Sequence, residues 1–267
     1  MTAYRIELNG APAGVDELRA IALVNYGHFT SMQVHEGGVR GLDLQLRRLD
    51  HATRELFGCP LDVEQTRRWM RGAVLGSGPA LSLRVNVFSR VLDRDRLDAA
   101  AAPDVLVTTG AARSIKPLAL RVRSVHYERE LPHIKHVGTF GLFHQKRLAQ
   151  LHGFDDALFV DVAGAISEGA IWNVGFFDGE RFVWPDAPAL DGVSMQLLKR
   201  GMLARGIESV TRRIGIADIG ALRSAFFTNS SSTAVPIASI DSTRFVVDQR
   251  VRDTLDDCMT SNPFQRI

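Results

Sequence analysis

The spacing of apolar and polar residues in the first third of the chain predicts a mixture of strands and helices. The apolar run Ala20 to Val24 and the extended segment Phe29 to Val34 are each followed by a turn and are interpreted as paired strands. Apolar residues recur every three to four positions from Leu42 to Leu56, which predicts an amphipathic helix, and a second helix is predicted over Val63 to Leu75. Strict alternation from Leu81 to Val87 predicts a sheet strand.

Strands predominate in the rest of the chain. The dipeptide Asp178-Gly179 between two of them is a strong signal for a hairpin turn. The segment Gly110 to Pro117 contains glycine, small residues and a proline, so we expect an interdomain connection there, a boundary near residue 115, and domains over residues 1–115 and 116–267. The predicted strands are Val105 to Thr108, Leu118 to Val125, Asp156 to Val162, Asn173 to Asp178, Arg181 to Trp184, Glu208 to Arg213 and Ala225 to Phe227, and the predicted helices are Thr139 to Leu151 and Ser194 to Arg205.

The overall composition is that of an ordinary globular protein. Hydrophobic residues make up 45% of the chain and charged residues 23%, which excludes a disordered or fibrous protein. The 32 basic and 30 acidic residues leave a formal charge of +2 without a basic tract, so we expect no nucleic-acid partner. No stretch reaches the roughly 18 apolar residues that a membrane helix needs, and no signal-peptide pattern is present at the amino terminus. We therefore expect a cytoplasmic protein with no membrane partner.

Several common enzyme signatures are missing from the sequence. It contains no phosphate loop, no G-x-G-x-x-G turn, no H-E-x-x-H and no G-x-S-x-G, which argues against nucleotide kinases, classical dehydrogenases and common hydrolases. Cys59 and Cys258 lie far apart, so neither a disulfide framework nor a thiolate metal site is expected. His133 and His136 flank one short segment, but no acidic or cysteine residue completes a ligand set there, and we predict no metal.

Only four of the 32 basic residues are lysines, which gives a short list of candidate nucleophilic amines. Lys146 and Lys199 stand beside arginines in predicted helices, where an ammonium stays hydrated, and Lys116 lies in the predicted connection. Lys135 differs because its neighbours are apolar residues and histidines. Partial desolvation and nearby imidazoles would both lower the pKa of its amine, which is how a lysine becomes able to form a Schiff base. A snorkelling or ion-paired lysine is the alternative.

Two polar segments could hold a phosphate group, and one carboxylate could contact a ring nitrogen. Asp191 to Ser194 opens a predicted helix, whose N-terminal amides attract anions. Thr228 to Thr233 offers several hydroxyls after a buried-looking strand. Glu168 lies between two predicted strands. Each feature also has an ordinary structural explanation, namely a helix start, a polar loop and a solvent-facing carboxylate.

Taken in order, these segments resemble the fold-type IV pyridoxal-phosphate enzymes, the family of branched-chain aminotransferase, D-amino-acid aminotransferase and aminodeoxychorismate lyase. The resemblance covers roughly Val24 to Asp241, and the order and spacing of its segments are more specific than any one of them. The segments are Gln45-Leu46-Arg47-Arg48-Leu49 for the family's H-L-x-R-L, Ile134-Lys135-His136 for the Schiff-base lysine, Gly153 to Leu158 for G-x-x-x-A-L, Ser167 to Gly175 for S/T-E-G-x-x-x-N-x-F with Phe176 one place late, Leu190 to Ser194 for the phosphate turn, and Thr228 to Pro236 for T-G-T-A-x-x-x-x-P.

The resemblance implies a two-domain α/β to α+β fold, with a small N-terminal α/β sandwich domain and a larger C-terminal pseudo-barrel domain. It implies pyridoxal 5'-phosphate as cofactor, transamination between a primary amine, such as an amino acid, and a 2-oxo acid, and a homodimer. Lys135 would form the Schiff base and carry protons, and Glu168 would lie near the pyridine nitrogen. The residues implied to hold the cofactor phosphate are Arg48, Val193, Ser194, Ser230 and Ser231.

The chain departs from the family pattern at several positions. Thr30 replaces an acidic residue in Gly27-His28-Phe29-Thr30-Ser31, and Gln45, Asp191 and Asn229 replace histidine, proline and glycine. Two alternative functions therefore stay open: a lyase of the aminodeoxychorismate type, and a non-catalytic protein that binds pyridoxal phosphate. Arg129 could bind a substrate carboxylate or form a surface ion pair with Glu128 or Glu130. The candidate substrate-pocket residues are Tyr26, His28, Thr30, Tyr127, Arg129 and Trp172.

Overall fold

The computed structural model describes residues 5–113 and 118–267. The helices are α1 (Val15–Val24), α2 (Leu42–Phe57), α3 (Val63–Val74), α4 (Phe140–Leu151), α5 (Val193–Ala204) and α6 (Gln249–Thr260), with a 3-10 helix at Ile216–Ala221. The strands are β1 (Ile6–Leu8), β2 (Ala11–Pro12), β3 (Gly27–His35), β4 (Gly38–Arg40), β5 (Ala80–Phe88), β6 (Asp104–Ala111), β7 (Leu120–His126), β8 (Asp156–Val160), β9 (Ile166–Gly169), β10 (Asn173–Phe177), β11 (Phe182–Pro185), β12 (Ser209–Arg212), β13 (Ser224–Asn229), β14 (Ser232–Ile240), β15 (Thr243–Arg244) and β16 (Phe264–Arg266).

The chain divides into two compact units. The first comprises Met1–Arg113, Ile134–Gly138 and Pro263–Ile267, and the second comprises Ser114–His133 and Thr139–Asn262. The segment that carries Lys135 thus belongs to the first unit. The expected boundary near residue 115 and the lysine at position 116 lie outside the described residues, and the division into domains 1–115 and 116–267 stays a prediction.

The first unit is built on a seven-stranded sheet with the strand order β16-β4-β3-β5-β6-β1-β2. The alternation predicted for β5 is confirmed: Leu81, Leu83, Val85 and Val87 are at most 1% exposed and form one face of the strand. They pack in one core with apolar residues of α2 and α3, the two predicted helices. Burying each such side chain contributes about 2 kcal/mol, so this face fixes the register of the sheet.

The expectation of a strand over Ala20 to Val24 is wrong, because these residues form the second half of α1. The Glu17 carboxylate accepts a hydrogen bond from the backbone N–H of Gly14 at 2.9 Å, which stabilises the start of the helix. Asn25, with φ of 54°, ends it in the left-handed conformation that commonly terminates helices. A run of five apolar residues carries no periodicity, and the capping signal ahead of it decides the structure.

The second unit contains a nine-stranded mixed sheet with the order β12-β11-β10-β13-β14-β7-β8-β9, and β15 pairs with β14. Strand β7 runs parallel to both β14 and β8, and all five residues of β8 are buried. Strand β9, at the end of this order, also contacts β10. The sheet therefore curls back on itself and brings Glu168 of β9 close to the start of β10.

Two segments of the second unit form hairpin turns. The hairpin predicted at Asp178-Gly179 is confirmed, since β10 and β11 pair in antiparallel fashion around it. The segment Thr228 to Thr233 is a second hairpin rather than a loop, because Asn229 pairs with Ser232 across a turn at Ser230 and Ser231. Helix α6 was not predicted. None of the helices in the described ranges has the length and apolar character needed to cross a membrane.

Candidate active site

Lys135 is held by its backbone along the edge of β3. Its carbonyl accepts a hydrogen bond from Phe29 N–H at 2.9 Å, and Val137 N–H donates to the carbonyl of Gly27 at the same distance. Strand β4 pairs with β3 only at His35, so residues 27–29 have an edge available for this segment. The half-buried Lys135 side chain places Nζ 4.8 Å from the centre of the Phe29 ring. The predicted amine thus lies against an aromatic surface.

Arg84 contacts the same aromatic ring, and its role was missed from sequence. Its Cζ lies 3.6 Å from the centre of the Phe29 ring, and its Nε donates to Asn86 Oδ1 at 3.0 Å. Burial, with a smaller effect from the positive charge of Arg113, lowers the pKa of the Arg84 guanidinium. The signal was available, because an arginine sits among the polar positions of an alternating strand. Two cationic side chains therefore meet at one phenylalanine.

Arg48 is positioned by two of the residues at which the chain departs from the family pattern. Its Nη2 donates to Thr30 Oγ1 and to Gln45 Oε1, the second at 2.8 Å. The Thr30 hydroxyl in turn donates to Gln45 Oε1. Thr30 and Gln45 are both buried. The two departures from the family pattern are therefore linked, because Thr30 and Gln45 together form a neutral pair of acceptors for the Arg48 guanidinium.

The candidate substrate residues of β3 face α2. The buried His28 ring lies 3.0 Å from Thr53 Oγ1, measured from Nε2. The Thr53 hydroxyl donates to the carbonyl of Leu49, so His28 Nε2 is the donor in the shared bond. Burial, and then the charge of Arg48, lowers the pKa of His28 to about 3, so the ring is neutral. Tyr26 donates its hydroxyl to the carbonyl of Leu56 at 3.1 Å.

Glu168 forms a buried ion pair with Arg129 in the second unit. The Oε1 to Nη1 distance is 2.9 Å, and the side chains are 7% and 6% exposed. Arg129 Nη1 also donates to the carbonyl of Pro132 at 3.2 Å. The alternative of a surface ion pair between Arg129 and an adjacent glutamate is therefore wrong, because burial turns the guanidinium towards Glu168. The pair holds Glu168 as a carboxylate.

Trp172 is tied into the core of the second unit. Its indole N–H donates to Asp156 Oδ2 at 3.0 Å, and its ring stacks on Phe227 with centres 5.9 Å apart. The same carboxylate oxygen accepts from Lys146 Nζ at 2.6 Å. Lys146 is thus not a hydrated helix lysine, as the sequence suggested, but the ion-pair partner of a buried aspartate. Tyr127, another candidate, packs on the ring of Phe159.

Lys199 also departs from the expectation of a hydrated ammonium. Its Nζ lies 5.5 Å from the centre of the Trp184 ring and donates to Thr211 Oγ1 at 3.2 Å. Burial lowers the pKa of this lysine. The local sequence did not reveal this because the aromatic partner comes from a different strand. An aromatic neighbour therefore does not distinguish Lys135 from Lys199, and Lys135 stays the predicted nucleophile because it matches the Schiff-base segment of the family pattern.

The two predicted phosphate-binding segments both adjoin Asn173, the first residue of β10. Asn173 pairs with Thr228, just ahead of the Ser230-Ser231 turn. Its Nδ2 donates to the carbonyl of Leu190 at 2.7 Å, and a Cβ added at Gly192 would overlap its Oδ1. Helix α5 begins at Val193, as expected, with Ser194 in its first turn.

The donors around Asn173 fit a phosphate group. The first N–H groups of α5 have no acceptor within the helix, and such groups attract anions. The space beside Gly192 is filled by the Asn173 amide, so the backbone of residue 192 lies against Asn173 with no room for a Cβ. Ser232 Oγ, at the end of the hairpin turn, is buried and lacks a hydrogen-bond partner among the described residues. A phosphate monoester offers acceptors for amides and hydroxyls of this kind.

Comparison with known proteins identifies the family. Residues 27–240 match the family model described as amino-transferase class IV. No match is found among curated proteins. Three similar solved structures are a hypothetical aminotransferase from Mycobacterium tuberculosis in its PLP-bound form (18% identity, 98% of this chain and 100% of that chain, TM-score 0.79), a branched-chain amino acid aminotransferase from Escherichia coli (15%, 96% and 92%, 0.82) and a fold IV transaminase from Curtobacterium pusillum (22%, 92% and 90%, 0.78).

These structural likenesses confirm the expected fold-type IV architecture, since the coverage is nearly complete for both partners while the identity is low. The seven-stranded sheet corresponds to the smaller domain and the curled nine-stranded sheet to the pseudo-barrel. The family model reaches from the start of β3 to the end of β14 and so includes every predicted cofactor-binding residue. Among the candidate pocket residues, Tyr26 lies just outside it. Because the match covers well over half of its length, the chain belongs to the class IV aminotransferase family, a family of enzymes.

Proposed function

We propose that this chain transfers the amino group of an amino acid to a 2-oxo acid, with pyridoxal phosphate as cofactor. The observation that carries this proposal is the position of Lys135, whose backbone is fixed along β3 and whose Nζ lies over the ring that Arg84 also covers. An amine can bond an aldehyde, and a guanidinium can bind a carboxylate. An amino-acid substrate needs both groups.

When bound, pyridoxal phosphate supplies the electron sink that stabilises negative charge at the substrate α-carbon. The chain's part is to hold it and to move protons. The proposed phosphate ligands are Arg48, the α5 start at Val193 and Ser194, and the turn at Ser230 and Ser231. The N-terminal amides of α5 and the buried Ser232 Oγ support this assignment.

Lys135 acts twice in this proposal. Its Nζ would hold the cofactor covalently until a substrate amine replaces it. When free, Nζ would take a proton at the substrate α-carbon and release it again.

Glu168 would stabilise a proton at the pyridine nitrogen of the bound cofactor. Its pairing with Arg129 keeps the carboxylate charged in a buried position, and a nearby carboxylate stabilises a protonated ring nitrogen. Because the Arg129 guanidinium pairs with Glu168, we assign binding of the substrate carboxylate to Arg84 instead. Trp172, Tyr127, Tyr26, His28 and Thr30 remain proposed pocket residues, although each has a packing or hydrogen-bonding role of its own.

The test is a half-reaction without an acceptor. The holoenzyme is mixed with single amino acids, and we expect one equivalent of 2-oxo acid together with the pyridoxamine spectrum of the cofactor. Release of pyruvate without formation of pyridoxamine would instead support the lyase alternative. A spectrum that stays unchanged with every amine would contradict catalysis and support a protein that only binds the cofactor.

Arg84 is tested with the same assay. Replacement Arg84→Met retains apolar contact with Phe29 but removes the charge, so we expect a raised KM for amino acids and little change for the corresponding amines that lack a carboxylate. Arg47→Met, on the exposed face of α2, is the matched control. Equal effects on both substrate classes would contradict the assignment of Arg84.

We also propose that the chain forms a homodimer.

A further inference from the structure

Asn173 is the point at which two separate chain segments of the second unit meet. Its backbone pairs with Thr228 of β13, which leads into the Ser230-Ser231 turn. Its side chain donates to the carbonyl of Leu190 at 2.7 Å, in the segment that leads into α5. Asn173 is 8% exposed, so both contacts are shielded from water. One buried residue therefore fixes the position of both segments.

The carbonyls ahead of α5 are all turned towards donors of the chain. Leu190 accepts from Asn173 Nδ2, Asp191 accepts from Gln196 Nε2 at 3.1 Å, and Gly192 accepts from Gln196 N–H at 3.0 Å. Successive carbonyls held on the protein side keep negative partial charge away from the N-terminal amides of α5. That arrangement favours an anion at the helix start.

Gly192 and Asn173 fit each other sterically. Gly192 has φ of −67° and ψ of 134°, which any residue can adopt, so backbone conformation does not require a glycine there. The requirement is space, because a Cβ would overlap Asn173 Oδ1. Asn173 has little freedom to move away, since its backbone is paired in the sheet and its Nδ2 is bonded to Leu190.

We infer that Asn173 is a positioning residue for the cofactor phosphate. It holds the Leu190–Gly192 segment by one hydrogen bond, requires glycine at position 192, and keeps the α5 start in register with the Ser230-Ser231 turn. This inference rests on the proposed function, because it needs a phosphate at that position. The sequence pattern contains both residues but does not link them, since they are 19 positions apart and belong to different elements.

The test is a double-mutant cycle with Gly192→Ala, Asn173→Ala and the combined variant of the full chain. Each is measured for affinity to pyridoxal phosphate and to pyridoxal, the same aldehyde without the phosphate. We expect Gly192→Ala to weaken pyridoxal phosphate binding roughly tenfold or more and pyridoxal binding by no more than about twofold. In the Asn173→Ala background, Gly192→Ala should add no further loss, because the overlapping oxygen is gone.

Gly201→Ala is the matched control. Gly201 also lies in α5, and a Cβ there would overlap the carbonyl oxygen of Cys258 in α6. This variant should lose stability while keeping the affinity ratio of the two aldehydes. The thermal shift caused by inorganic phosphate is a second readout that needs no aldehyde, and Gly192→Ala should reduce it. If Gly192→Ala does not fold, Asn173→Leu, which keeps the branching of the side chain but removes the donor, should show the same selective loss.

Equal losses for both aldehydes, or a full additional loss from Gly192→Ala in the Asn173→Ala background, would overturn the inference and leave the proposed function standing. Failure of the unsubstituted chain to bind either aldehyde would overturn both.

Discussion

His28 shows how one buried side chain makes stability depend on pH. Its pKa is lowered to about 3 in the folded chain by burial and by Arg48, against an ordinary value of 6.5. Below pH 6.5 the unfolded chain therefore binds a proton that the folded chain does not. The contribution of the neutral His28 ring to stability is therefore complete above pH 6.5 and is lost as the pH falls towards 3.

We expect the free energy of unfolding to fall by about 2 kcal/mol more in the unsubstituted chain than in His28→Gln when the pH is lowered from 7.5 to 5. Urea unfolding at both pH values measures this difference. His152→Gln, which removes an exposed histidine, controls for the loss of a histidine as such. Identical pH dependence in the His28 variant and the unsubstituted chain would show that His28 titrates normally.

The sequence predicted candidate site residues where a motif marks them, but not where the role of a residue depends on a contact with a residue far away in the sequence. Glu168 and Lys135 were selected from sequence, but the buried partner of Glu168 lies 39 positions away at Arg129. The sequence gives no spacing rule for such a pair. Arg84 was missed for a similar reason, because its contact with Phe29 arises only when β3 and β5 pair.

At the scale of elements, Lys146 links α4 to β8 and, through Asp156, to the turn that carries Trp172. Asp156 is 1% exposed, so removing its cation leaves a buried carboxylate without its ion-pair partner. We expect Lys146→Met to lower the free energy of unfolding by about 3 kcal/mol. Chemical denaturation measures this change in the free energy of unfolding. Lys199→Met is the control: burial already disfavours the charge of Lys199, so removing it should lower the free energy of unfolding much less. Equal losses in the two variants would contradict this account.

Helices and strands with clear periodicity were predicted well, and the remainder depended on tertiary contacts. Helices α2, α3, α4 and α5 and strand β5 lie within a residue or two of their expected bounds. Helix α1 was mistaken for a strand because its apolar run has no period. The Thr228 to Thr233 segment reads as a polar loop in isolation, and only pairing with the neighbouring strand makes it a hairpin.

At the scale of the whole molecule, one face of α4 supports the proposed homodimer. Phe140, Phe143 and Leu151 are 80%, 54% and 64% exposed and recur at helical spacing. An exposed apolar face of this kind commonly marks a protein interface. Light scattering should give twice the mass of one chain, and Phe143→Glu should shift the protein towards the monomer. Leu203→Glu, at an exposed leucine of α5, is the control, and a monomeric unsubstituted chain would contradict the proposal.

The central claim, covalent attachment of the cofactor to Lys135, is tested most directly by borohydride reduction of the purified holoprotein followed by peptide mapping. The account predicts one phosphopyridoxyl group, located on Lys135, and none on a Lys135→Ala variant that is otherwise folded. A label on Lys116, Lys146 or Lys199, or an unchanged label in the Lys135→Ala variant, would contradict it.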